Sequence, residues 1–150
     1  MEELLETWRI NNRINLYLLE ALEEDSLTVP LTKGKTVGGQ LAHVHNVRLM
    51  WLKAAAPDLN EPMVKLEPTA TKAELAAGLE SSSKAIEELL RRAGSPGGKV
   101  KGFKPHAAGF LGYMIAHEGF HRGHLELALR QAGKPLPDKI AYGSWEWGSR

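Results

Sequence analysis

Residues 106–132 read HAAGFLGYMIAHEGFHRGHLELALRQA, and this stretch predicts one long helix. No proline interrupts it. Gly133 follows the stretch, and glycine commonly ends a helix at this position. Pro135 prevents the helix from continuing. A single helix of this length in a chain of 150 residues indicates a helical architecture.

Three further helices are expected before it. The first runs from Glu2 to about Glu24, because apolar side chains recur there at three- and four-residue spacing. The second begins after Thr36 as N-cap and continues to the alanines before Pro57. The third follows the capping box of residues 71–74, Thr-Lys-Ala-Glu, and runs to Ala93.

The connecting segments carry no strand signal. No run alternates apolar and polar residues with β-branched enrichment, so no sheet is expected. Proline-rich 57–70 and glycine-rich 94–105 are expected to be loops, and the tail from Lys134 irregular. Helices of about 20–27 residues, each about 30–40 Å long, predict an all-α four-helix up-and-down bundle. One domain is expected to span residues 1–150, with the helix order left open.

Composition excludes several classes of protein. Hydrophobic residues make up 43% and charged residues 25%, values typical of globular chains. Nineteen Lys and Arg against 18 Asp and Glu leave no basic surplus for nucleic acid. No apolar stretch is long enough for a membrane span, and the N-terminus lacks the features of a signal peptide, so a cytoplasmic location is expected. Cysteine is absent, so any metal must be held by histidines and carboxylates.

The six histidines fall in two places. Two lie on the second predicted helix and four on the last, at positions 43, 45, 106, 117, 121 and 124. His117 and His121 are four residues apart, which places their side chains on one helix face, about 5–6 Å apart at Cβ. That spacing suits two imidazoles that bind one ion.

Two known metal motifs overlap this pair. His117-Glu118-Gly119-Phe120-His121 matches the zinc-protease pattern, in which Glu118 would be the base. Such helices normally pack beside a sheet, and none is expected here. Glu118 and His121 also match half of a di-iron site, but the second half does not occur in the sequence. Neither motif explains the pair.

A third ligand from the second helix fits better, because a bundle gathers side chains from facing helices. His43 lies near the apolar stripe of that helix. His45 points about 200° away around the helix, so the two cannot face one centre. The residues alone leave the choice between them almost even.

Several segments together resemble the DinB/YfiT-like family. They are Leu41-Ala42-His43 with Trp51-Leu52, His117-x-x-x-His121-Arg122-Gly123, and the early Trp8-x-x-Asn11-Asn12-x-x-Asn15. The resemblance covers most of the chain and implies a four-helix bundle that is often dimeric. It also implies that His43, His117 and His121 bind Ni²⁺, Zn²⁺ or a similar divalent ion.

The chain departs from the family pattern at two positions. Phe120 stands where many members have another histidine, and His124 stands where glutamine is common. Neither change removes a ligand. Some relatives are transferases or isomerases that use bacillithiol, mycothiol or glutathione, so a low-molecular-weight thiol is implied as cosubstrate.

Three imidazole ligands leave at least one coordination position open, as in catalytic rather than structural sites. The leading hypothesis is a thiol-dependent S-transferase, with the thiol supplied by the cosubstrate. A metal-dependent hydrolase is the alternative enzyme. A metal-binding or interaction bundle without turnover is the alternative from another class.

Other polar residues near these motifs have two interpretations each. Glu118 is either a catalytic base or a hydrogen-bond acceptor that supports a metal ligand, although an exposed or interface carboxylate is favoured. Asn12 and Asn15 either line a polar pocket or form ordinary local hydrogen bonds. His124 is either an additional site residue or a packed or exposed histidine. Arg122 is expected to pair with a carboxylate.

The aromatic residues are assigned to packing. Phe110, Tyr113, Met114 and Phe120 are expected in the core or a dimer interface. Trp145 and Trp147 are expected to cover an edge of the bundle or the partner subunit, with a lid over the metal cleft as the alternative.

Overall fold

Four long helices account for most of the chain in the computed structural model, which describes residues 1–150. The all-α prediction is confirmed, and the only strand-like feature is an isolated bridge between Pro30 and Thr36. No helix combines the length and apolarity needed to cross a bilayer. The helices are α1 (Glu2–Ala21), α2 (Val37–Ala55), α3 (Pro57–Asn60), α4 (Lys72–Ala93), α5 (Ala107–Gln131) and α6 (Asp138–Gly143).

The first helix is shorter than expected. It ends at Ala21 rather than Glu24, because Leu22 adopts extended backbone angles (φ −81°, ψ 137°) and its side chain is buried. Residues Glu24–Thr28 then form a separate 3₁₀ turn. Lys72 donates a hydrogen bond of 2.7 Å to the carbonyl of Leu22, which satisfies one of the free acceptors at this helix end.

Two segments expected to be irregular contain short helices. Pro57 begins α3, where its fixed φ suits the first helical turn. The tail contains α6 and a 3₁₀ turn at Trp147–Ser149. The helix caps were predicted correctly: Thr36 accepts from the Gly39 amide, and Thr71 forms the reciprocal capping box.

A crossover segment, residues 61–71, determines the directions of the helices. Asn46 holds it against α2 through two bonds to the main chain of Leu66, at 2.9 and 3.0 Å. Pro68 then lies beside Gly39 in the first turn of α2. The crossover therefore returns the chain to the start of α2, so that α4 runs parallel to it. The helices run up, down, down and up rather than in strict alternation, and α1 and α2 are diagonal, each packed against α4 and α5.

A buried polar layer divides the core into two apolar clusters. One cluster contains Trp8, Leu52 and Phe110, and the other contains Leu41 and Leu125. On each long helix, buried polar residues lie between the two clusters. This polar layer consists of Asn11, Asn12, Asn15, Arg48, Ser82 and Glu118.

Candidate metal centre

Three histidines from two helices converge at the surface of the polar layer. His43 comes from α2, and His117 and His121 come from α5; one ring nitrogen of each lies within 4.8 Å of the others. The Nε2 atoms of His117 and His121 are 3.0 Å apart. The His43 ring centroid is 4.7 Å from that of His121 and 5.6 Å from that of His117. This three-histidine cluster could hold a metal ion.

The structure separates the two histidines of α2. His45 is buried and turned away from the cluster, with its ring nitrogens 2.8 Å from the Gly78 carbonyl oxygen and 2.9 Å from that of Val64. It therefore links α2 to α4 and to the crossover. His43, two residues earlier, is the histidine that faces α5.

The charge state of the cluster fits a metal site. Burial, followed by the neighbouring imidazoles His117 and His43, lowers the pKa of His121 to about 4. Burial likewise lowers the pKa of His43 and that of His117. All three rings are therefore neutral near pH 7, and neutral imidazole is the form that binds metal. Three such nitrogens suit Zn²⁺, Ni²⁺ and similar ions at distances of about 2.0–2.1 Å.

Gln40 orients one of these rings. Gln40 lies on α2, about one turn before His43, and its buried amide contacts Nδ1 of His121. A His121 that binds metal through Nε2 carries its proton on Nδ1, and the Oε1 of Gln40 is the acceptor for that proton once the amide is turned to face it. Gln40 was not among the residues predicted from the sequence. The available signal was an amide on the apolar face, three residues before a histidine.

Glu118 lies in the polar layer and is fully buried. The prediction of an exposed or interface carboxylate is therefore wrong. Arg48 binds it through two hydrogen bonds, Nε to Oε1 at 2.7 Å and Nη2 to Oε2 at 2.9 Å. The Nδ2 atoms of Asn11 and Asn15 each donate to Oε2 at 2.7 Å. These four donors occupy the carboxylate, which favours a structural role over that of a base.

The electrostatics of Glu118 agree with that role. Burial by itself raises the pKa of this carboxyl. The charge and hydrogen bonds of Arg48, together with the Asn15 hydrogen bond, outweigh burial and place the pKa below its usual range. The carboxylate is therefore ionised at neutral pH and bound to a cation that is itself fully buried.

The asparagines of α1 complete this network. Asn12 Oδ1 accepts from Arg48 at 2.9 Å, so it belongs to the polar layer and does not line an open pocket. Asn11 and Asn15 bridge the carboxylate to Arg122, whose Nη1 donates to their Oδ1 atoms at 3.0 and 2.6 Å. The expected carboxylate partner of Arg122 is thus replaced by two amides. Burial lowers the pKa of this arginine.

The remaining candidates lie outside the three-histidine cluster. His124 is exposed and packs on Phe120, with ring centroids 4.2 Å apart. Trp145 and Trp147 line a groove with Ile115 on the opposite face of α5. They lie at that edge of the bundle, where Trp145 is 80% exposed, and do not extend over the histidines as a lid.

The fold and the cluster together define a helical bundle with a candidate site for a divalent metal. The model of the DinB family matches residues 1–147, and the chain belongs to this family. No curated protein and no solved structure matched the chain.

Proposed function

We propose that the protein binds one divalent ion, Ni²⁺ or Zn²⁺, through His43, His117 and His121, and that it is a thiol-dependent S-transferase. The observation that carries this proposal is the convergence of three neutral imidazoles with no fourth histidine or carboxylate in the group. A site with three protein ligands keeps a position for an exogenous ligand, as catalytic sites do.

The composition of the chain supports an external rather than an internal thiol in this proposal. It contains no cysteine, so the thiol belongs to a low-molecular-weight cosubstrate. A bound divalent ion supplies positive charge that favours the thiolate over the thiol near pH 7. In the transfer, the sulfur forms a bond to an electrophilic carbon, the leaving group departs with its bonding electron pair, and the thiol proton passes to solvent.

The test is adduct formation by the metal-loaded protein. We expect the metal-loaded protein to form a thioether from an alkyl electrophile and bacillithiol, mycothiol or glutathione faster than the metal-free protein does. Mass spectrometry measures the thioether. His117→Ala should abolish the difference, whereas His124→Ala, an exposed control on the same helix, should retain it. No metal-dependent adduct with any thiol would contradict the transferase. Ester hydrolysis instead would favour the hydrolase, and neither activity would favour a bundle without turnover.

Self-association through α5 is part of the same proposal. The exposed residues of α5 from Ala108 to His124 are all uncharged, and several are glycine or alanine, which allow close helix contact. Tyr113, Phe120 and Leu127 recur every seven residues on this face, with exposed fractions of 39%, 60% and 52%.

The cytoplasmic location stays a prediction.

A homodimer formed through this face should be disrupted by charge. We expect Phe120→Lys to convert the dimer to a monomer in sedimentation equilibrium, because the two symmetry-related lysines would face one another. Lys84→Glu on the exposed side of α4 is the control and should remain dimeric. A wild-type monomer at all concentrations would contradict the proposal.

A further inference from the structure

We propose that the small molecule acting at the three-histidine cluster is an anion with an aliphatic part, and that its carboxylate is bound by Lys53 and Lys65. This inference rests on the proposed function, because it names the class of substrate for that site. It concerns a groove that begins at His43 and runs away from α5.

The groove lies between α2 and the crossover segment. Its cavity volume is about 540 Å³, within the range of about 300–1,000 Å³ that is usual for small-molecule sites. His43, Val47 and Met50 form one wall, at helical spacing on one face of α2, and Met63 and Lys65 belong to the other. His43 is thus common to the groove and the cluster, so one molecule can occupy the groove and reach the metal position.

The charges of the groove have one sign. Lys53 from α2 and Lys65 from the crossover line it, and no carboxylate does. Neither lysine takes part in an ion pair, unlike most of the arginines in the chain. Glu118, the acidic residue next to a ligand, is already neutralised by Arg48. The groove therefore favours a small molecule that carries negative charge.

The neutral ligand set strengthens the same preference. Three uncharged imidazoles leave the charge of a divalent ion uncompensated, and the group contains no carboxylate. A negative ligand therefore gains attraction from both the ion and the lysines.

The apolar lining indicates the rest of the molecule. Val47, Met50 and Met63 line the groove together with His43. Methionine side chains are flexible and polarizable, and they adapt to aliphatic ligands of different shape. A second cavity, lined by Leu31, His124 and neighbours, contains no charged residue and lacks this combination.

The test measures binding, not turnover, and uses metal-free protein. Glutathione and succinate serve as carboxylate probes, and glutathione diethyl ester and succinamide as their uncharged analogues. We expect the methyl resonances of Met50 and Met63 to shift with the carboxylates and much less with the analogues. The double variant Lys53→Met/Lys65→Met should weaken carboxylate binding about tenfold, which is a loss of about 1.4 kcal/mol, because exposed charge pairs contribute only modestly.

The control pair is Lys84→Met/Lys139→Met, which removes the same charge from other surfaces and should leave the affinity unchanged. Added salt should weaken binding to the wild type more than to the groove variant. Equal affinity of wild type and groove variant, or no shift at either methionine with both carboxylates, would overturn the inference. Carboxylate binding without any metal-dependent thioether would retain the inference and refute the transferase.

Discussion

Replacing Glu118 with glutamine is expected to lower the free energy of unfolding by about 3–5 kcal/mol. The substitution removes the counter-charge of Arg48, whose side chain is completely buried beneath the Trp8 ring, 4.8 Å from its centroid. An uncompensated cation in the core has no route to water without opening α2 from α5. Urea denaturation followed by circular dichroism measures the loss.

The pH dependence of stability provides a second observable for this ion pair. The pKa of Glu118 is lower in the folded chain than the usual carboxyl value of 4.5. Its contribution is therefore complete above that value and is lost as pH falls through the folded pKa. The difference in stability between wild type and Glu118→Gln should shrink in acid.

Glu88→Gln is the matched control for this prediction. Glu88 also pairs with arginines, Arg91 and Arg92, but on the surface of α4. Its loss should cost less than about 1 kcal/mol. Replacing both members of the buried pair, Arg48→Met with Glu118→Leu, should destabilise less than the sum of the single changes, because no lone charge remains. A Glu118→Gln protein as stable as the control would refute the buried pair.

The polar layer also places the ligands. Glu118 follows His117 directly on α5, and Arg48 lies on α2, five residues after His43. The bidentate bond between them therefore fixes the position of α2 along α5. Since apolar side chains tolerate sliding more readily than a bidentate ion pair does, the ion pair holds His43 opposite His117 and His121.

Replacing His121 with alanine is expected to abolish stabilisation by metal. An ion that binds only the folded chain stabilises it by about 2.7 kcal/mol at one hundred times its Kd. Zn²⁺ or Ni²⁺ should therefore raise the Tm of the wild type, as measured by calorimetry, and a chelator should reverse the rise. His121→Ala removes the central ligand, whose Nε2 lies 3.0 Å from that of His117. Its Tm should not respond to either metal.

The control for this variant is His124→Ala, one turn further along α5. His124 is exposed and lies outside the three-histidine cluster, so its removal should leave the shift in Tm intact. An unchanged shift in His121→Ala would place the ion elsewhere on the protein.

Local signals in the sequence predicted most of the fold. Capping residues and apolar spacing locate the long helices, because these features act within a few residues of chain. The direction of α4 depends instead on contacts such as that of Asn46 with Leu66, twenty residues away. No periodic pattern marks such a contact, so the parallel course of α2 and α4 was not predictable.

The ligands were predictable in part, and the polar layer was not. The spacing of His117 and His121 indicates a pair on one face, whereas the choice between His43 and His45 depended on the family resemblance. Arg48 was not identified, and the burial of Glu118 was not predicted, for a physical reason. A charged residue within a helix is normally exposed, and only a partner on another helix makes its burial possible.

The most direct test of the account is the metal content per chain of purified, reconstituted protein. The wild type should hold about one Ni²⁺ or Zn²⁺ per chain, because the three histidines form one site. His43→Ala and His117→Ala should each lose it, and His124→Ala should keep it. A wild-type protein that retains no metal after reconstitution with both ions would contradict the metal centre and every proposal that depends on it.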